Sequence, residues 1–164
     1  MARARLLRSG AALALVLALA GGVAAEPAAP AFSAKLLDED RTLDSRALIG
    51  KKVVVLRFQG SWCKVCTAQA AGIQRLAGKY GPRDVEVIGV HVNDTAADAR
   101  AWRKRYKQTY PAALDQGARI GTRFGFKRAP YTVVIDKTGE MVARITGSAD
   151  EARLAKIIEP LLVP

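Results

Sequence analysis

A chain of 164 residues, half of them hydrophobic and a quarter charged, is ordinary for a globular protein and has room for one domain plus an extension. That length can bury a core without a disulfide framework, so its two cysteines call for a chemical reading first. The net charge of +11 suggests nucleic acid or an anionic membrane as a partner. However, the basic residues are scattered, and the densest cluster, Arg103-Lys104-Arg105 with Lys107, reads as the solvated face of a helix. A nucleic-acid role is therefore not expected.

Residues 1–25 read as a secretory signal. Arg3, Arg5 and Arg8 form a positive start, Ala11 to Ala20 an apolar run, and Val23-Ala24-Ala25 a small-residue cleavage site before Glu26. The run is short for a membrane span, which needs about 20 residues. No cysteine follows it to take a lipid anchor, and no adjacent arginines mark a twin-arginine route. The expected location is periplasmic or otherwise exported, with membrane contact only if the signal is kept.

Residues 26–31, rich in Pro and Ala, read as a flexible lead-in to a single domain over 32–164. Phe32 to Leu37 suits a short edge strand, and Leu43 to Ile49 a short helix or turn stopped by Gly50. Lys52 to Phe58 is a continuous apolar run of strand length, as in a central strand covered on both faces. A helix over Trp62 to Tyr80 follows, with Gly78, Gly81 and Pro82 marking its end. Val85 to Val92 is the next strand. Asn93-Asp94-Thr95 supplies capping side chains for a helix to about Lys107.

Pro111 to Leu114 reads as an extended piece and Ala118 to Phe124 as a short helix. Tyr131 to Ile135 is strongly β-branched, and Met141 to Thr146 pairs back on it as a hairpin. A last helix runs from Asp150 to Ile158, stopped by Pro160. The order predicts an α/β fold, a mixed central sheet with helices on both faces.

Trp62-Cys63-Lys64-Val65-Cys66 falls where a buried strand turns into a helix. A spacing of three puts both sulfurs on one helix face, within reach of a small disulfide ring. Cys63 at the helix start meets unpaired N–H groups and the positive end of the dipole, which favour the attacking thiolate. Cys66, one turn inside and less exposed, is placed to resolve a mixed disulfide. A structural disulfide would close too little chain to stabilise much. A zinc site wants four ligands, and the single histidine, His91, stands alone in a strand. Covalent haem needs a histidine where the chain has Thr67. A peroxiredoxin would set one cysteine behind a proline and a threonine, which Gly60-Ser61-Trp62 does not supply. No metal and no dissociable cofactor are expected.

On these residues the chain resembles the TlpA-like branch of the thioredoxin superfamily, exported bacterial disulfide reductases. The resemblance spans Phe32 to Leu162. It is carried by the strand leading into Trp62-Cys63-x-x-Cys66, the Ala129-Pro130 step before a strand, Ile135-Asp136-Lys137-Thr138-Gly139-Glu140, and Leu48-Ile49-Gly50-Lys51. It implies a thioredoxin-like fold, a cis peptide at Pro130 facing the disulfide, and a groove shaped by Ala129 and Pro130 in which a partner's backbone pairs beside Cys63. It further implies protein substrates bearing thiols or disulfides and a membrane-held thiol reductant. Trp62 is expected on the rim of that groove, and His91 to have no catalytic duty. Tyr131 either borders the groove or packs in its strand.

Two positions depart from the family pattern. Arg57 stands where thioredoxins carry a buried acid six residues before the first cysteine. Gln69 stands where the TlpA-like branch often has a glutamate. Either carboxylate would accept the buried thiol's proton. Arg57 either lies near Cys66, stabilising its thiolate and making the pair more oxidising, or points along the sheet edge to solvent with its stem packed. Arg57 and Gln69 are thus candidate tuning residues. The other reading for the pair is a non-enzymatic copper-binding module on the same fold, with Cys63 and Cys66 as soft ligands.

Overall fold

The structure, a computed structural model, describes residues 27–163; the expected signal segment falls outside the described residues. Strands β1 (Ser33–Lys35) and β2 (Thr42–Asp44) form a small antiparallel hairpin. The expected helix or turn at Leu43 therefore begins as a strand. Thr42, Leu43 and Asp44 show the alternating burial of a half-covered strand. Helical geometry is confined to a 3₁₀ turn at Ser45–Ala47, capped by the Asp44 carboxylate, which accepts from the Arg46 N–H.

The main sheet has five strands. Its central strand β3 (Val53–Gln59) is buried at every residue, as a strand covered on both faces must be. Beside it β4 (Val85–Val92) and then β5 (Ala112–Asp115) run parallel; on the other side β6 (Tyr131–Ile135) and β7 (Met141–Thr146) run antiparallel. Helix α1 (Lys64–Tyr80) makes the crossover from β3 to β4. It passes straight through Gly78, because Ile73, Leu76 and Tyr80 form a buried stripe against the sheet. That burial outweighs the roughly 1 kcal/mol helix cost of one glycine.

Helix α2 (Ala96–Arg105) is capped by Thr95 alone, whose hydroxyl accepts from the Asp98 N–H at 3.0 Å. Asp94 is engaged elsewhere. A 3₁₀ turn (Gln116–Ala118) leads into α3 (Arg119–Arg123). Helix α4 (Glu151–Ile158) starts on the Asp150 cap, and Pro160 sits in the first turn of a closing 3₁₀ segment, Glu159–Leu162, where proline is tolerated.

Val54, Leu56, Phe58, Ile88 and Val90 pack on one face with Phe32, Leu43 and Phe124. Val53, Val55, Val85 and Val87 pack on the other against α1 and α4. The expected flexible lead-in differs: Ala28 forms a bridge with Glu140, and the Met141 N–H donates to the Pro27 carbonyl at 3.0 Å. It pairs donors and acceptors that an edge strand would otherwise leave open. Arg103 is also not part of a solvated face. It is buried, pairs with Asp38 at 2.9 Å and donates to the Tyr110 carbonyl.

Candidate active site

After Gln59 the chain turns sharply, and the Cys63 N–H closes the turn on the Gly60 carbonyl at 3.1 Å. Trp62 folds its indole over Gly60, where an added Cβ would come within 2.5 Å of the ring nitrogen. That nitrogen donates to the Val92 carbonyl, and the rest of Trp62 is open to solvent, with 56% of its surface exposed. Cys63 is the N-cap of α1; its backbone is extended and its Sγ accepts from the Cys66 N–H at 3.1 Å. Cys63 and Cys66 form a disulfide with their Cα atoms 5.2 Å apart. Cys63 is 6% exposed and Cys66 2%, so both sulfurs are largely covered.

The cover is a small apolar cluster of Cys63, Cys66, Ala70 and Trp102, with Tyr106 and Ala129 packed against it. Trp102, from α2, donates its indole N–H to Thr67 at 3.0 Å. Ala129 is therefore brought to the sulfurs, and the next peptide, Ala129-Pro130, is cis. Pro130 is buried, and its carbonyl accepts from the Gly147 N–H at 2.8 Å. Tyr131 does not border the groove. Its hydroxyl donates to the Phe124 carbonyl within the core on the opposite face.

Arg57 lies in the central strand, 1% exposed, so the reading of it as a solvent-pointing edge residue is corrected. It shares the face of Val53 and Val55, beneath α1, because strand side chains alternate. Its guanidinium donates to Thr132 Oγ1 at 2.7 Å and to Gln69 Oε1. Gln69 in turn donates to Ser148. Burial pulls the Arg57 guanidinium down to about 10. Arg57 and Gln69 are thus joined directly, one helical turn beyond Cys66.

Below the Gly60–Trp62 turn lies a group that sequence reasoning missed. His91 and Asp94 are buried, with His91 Nδ1 and Asp94 Oδ2 3.0 Å apart. Asp94 also accepts from the Ser61 N–H and the Ser61 hydroxyl, both at 2.7 Å. His91 Nε2 lies 3.1 Å from Gln59 Nε2. An amide nitrogen only donates, so His91 Nε2 accepts and Nδ1 carries the proton toward Asp94. Burial pushes His91 below its ordinary value, more than Asp94 pulls it up. Burial alone would raise Asp94, but hydrogen bonds from His91 and Ser61 prevail and hold it low. The ring of His91 meets Trp102 edge to face, 5.4 Å between centroids. Among the described residues, no three His, Cys, Asp or Glu side chains gather where they could share a metal ion.

A thioredoxin-like sheet with a vicinal CxxC disulfide at the start of its crossover helix defines a thiol-disulfide oxidoreductase. The AhpC/TSA family model matches residues 26–144, and the chain belongs to that family. It is 33% identical over 136 residues to the thiol:disulfide interchange protein DsbE of Allochromatium vinosum, covering 82% of this chain and 73% of that relative. It is 29% identical over 121 residues to the thiol-disulfide oxidoreductase ResA of Halalkalibacterium halodurans, covering 74% and 68%. The solution structure of a putative protein disulfide isomerase from Bacteroides thetaiotaomicron superposes with a TM-score of 0.75 at 29% identity, covering 84% of this chain and 89% of the other.

Proposed function

We propose that this chain is an exported reductase of protein disulfides in which Cys63 attacks and Cys66 resolves. The observation that carries the reading is the position of Cys63 as N-cap of α1, with its sulfur accepting the Cys66 N–H. Unpaired helix N–H groups stabilise a thiolate there. In the dithiol form, the Cys63 thiolate bonds to one sulfur of a substrate disulfide and expels the other as a thiolate, which takes up a proton. Cys66 then gives up its proton and bonds to Cys63 Sγ, releasing the second substrate thiol. Two electrons pass to the substrate, and the Cys63–Cys66 disulfide remains for an external, membrane-held thiol reductant to reopen. Trp62, Ala129 and Pro130 form the docking rim in this reading, while Arg57 and Gln69 act on Cys66 from within.

The direction of transfer rests on the resemblance to TlpA-like reductases, and export rests on the signal-like residues 1–25. The copper-binding reading finds no support in the relatives compared, which are named for thiol-disulfide chemistry. The test is to incubate the reduced chain with disulfide-bonded insulin. Stoichiometric reduction of insulin is expected, with the chain recovered as its disulfide. A chain that only oxidises dithiols would reverse the direction, and one that exchanges neither way would end the reading. Recovery from the exported fraction with Glu26 at its N-terminus is the expected result for the signal.

A further inference from the structure

The two acids that TlpA-like reductases and thioredoxins place near the second sulfur are replaced here by Gln69 and Arg57. A different carboxylate is nevertheless tied to the turn that leads into the first. Asp94 accepts two hydrogen bonds from Ser61, a residue two positions before Cys63 in a turn that closes on the Cys63 N–H. Its third partner, His91, is oriented by Gln59 on one side and by the Trp102 ring on the other. Trp102 itself belongs to the apolar cluster that holds both cysteines. A carboxylate is thereby fixed on the turn that leads, two residues on, into the attacking cysteine, in a buried site where charge is poorly screened.

Resting on the reading of Cys63 and Cys66 as a redox couple, we propose that Asp94 is the carboxylate that opposes the Cys63 thiolate, and that His91 and Ser61 are its positioning residues. The ring tautomer is part of the device. With Gln59 donating to Nε2, the imidazole is neutral and turns its single N–H to Asp94, so the negative charge is oriented without being cancelled. The other charged groups acting on His91, Arg103 and Asp38, are spent on each other as an ion pair. A negative charge near Cys63 disfavours the thiolate and hence the dithiol form, making the couple more reducing. The lost acids at positions 57 and 69 are thus offset from the other side of the disulfide.

The experiment is a glutathione redox titration of the purified full chain, comparing wild type with Asp94→Asn and Ser61→Ala. Asp94→Asn keeps an acceptor for Ser61 but removes the charge. It should shift the exchange equilibrium at least threefold toward the dithiol and make Cys63 alkylate at lower pH. Ser61→Ala loosens the same turn while leaving the charge, and should shift the equilibrium less than twofold. An Asp94→Asn couple equal to wild type, a shift in the opposite direction, or equal shifts in both variants would overturn the proposal.

Wild type alone supplies a second test that needs no variant to fold. The chain has a single histidine, so its ring nitrogens give one unambiguous NMR pattern, expected to be the neutral Nδ1–H form at neutral pH. An Nε2–H ring or an imidazolium would contradict the arrangement. Wild type that fails to exchange with glutathione at all would remove the proposed function, and this inference with it.

Discussion

The α1-facing side of the sheet has two halves built from the same strands. In the lower half, Val53 and Val55 of β3 pair across to Val85 and Val87 of β4, with Val134 of β6 opposite Val55. In the upper half, two residues further along, the corresponding positions are Arg57 and Gln59 beside Gly89 and His91, with Thr132 opposite Arg57. On the reverse face the same stretch of β3 and β4 is apolar, through Leu56, Phe58, Val90 and Val92. On the α1-facing side, buried polarity is therefore concentrated in the half that leads into the disulfide. The lower half contributes stability by burying hydrocarbon; the upper half gives some of it up to bury charged and polar side chains, leaving Arg57 Nε buried without a partner among the described residues.

The two halves should be separable by substitution. Leu76, fully buried on the sheet-facing side of α1 over the lower half, should cost about 2–5 kcal/mol when truncated to alanine. Its removal should leave the glutathione equilibrium of the cysteine pair unchanged. Denaturant unfolding and a redox titration of Leu76→Ala check both, and a shifted equilibrium would merge the halves.

Gly89 marks the boundary between them. A Cβ there would meet Gln59 Nε2 at 2.9 Å and the Tyr110 ring at 3.2 Å. Gly89→Val should destabilise by about 1–3 kcal/mol through overpacking, and should also displace Gln59 from His91. The His91 ring signals then change along with the unfolding midpoint, whereas unchanged signals would detach Gly89 from the polar half.

Acid should act on the upper half first. The unfolded chain takes a proton on His91 as pH falls through its ordinary value of 6.5, while burial keeps the folded ring neutral below that. Protons then favour unfolding, so stability declines as pH falls below about 7, until the folded ring also charges. Asp94, held low when folded, adds a second loss of the same sign as pH falls through 3.8 and below. Thermal unfolding across this range should show the first decline in wild type and lose it in His91→Gln. An identical slope in the variant would place the proton elsewhere.

How much of this was visible beforehand follows from the range of each signal. β3, β4 and β6 are unbroken apolar, β-branched runs, and the CxxC spacing with the Ala129-Pro130 step is local, so these elements could be placed from the chain itself. The β1–β2 hairpin was not, since strands of three residues carry too little periodicity. Arg57 was ambiguous for a related reason: in a strand apolar at both parities, nothing says which face the odd residues take. Asp94 looked like a helix cap among Asn93 and Thr95, and its real partner, Ser61, is 33 residues away. One clue was present: Gln59 and His91 are polar intrusions at the ends of two apolar strands that pair in register.

The smallest effect is expected at position 69. Arg57 donates to Gln69 Oε1, so a carboxylate restored by Gln69→Glu would be largely neutralised by the guanidinium. The single substitution should move the couple only slightly toward more negative potentials, and the double variant Arg57→Leu, Gln69→Glu should move it further the same way. Equal potentials in the single and double variants, read in the same glutathione buffers, would mean that Arg57 does not shield position 69.

Mixed-disulfide trapping reads the division of labour between the two cysteines. With Cys63 at the helix cap and Cys66 one turn inside, Cys66→Ser should leave an attacking thiol with no resolving partner. It should therefore accumulate disulfide-linked complexes with substrate proteins on non-reducing gels. Cys63→Ser should accumulate almost none. Complexes formed through Cys66 alone, or equally by both variants, would contradict the assignment of Cys63 as the attacking residue.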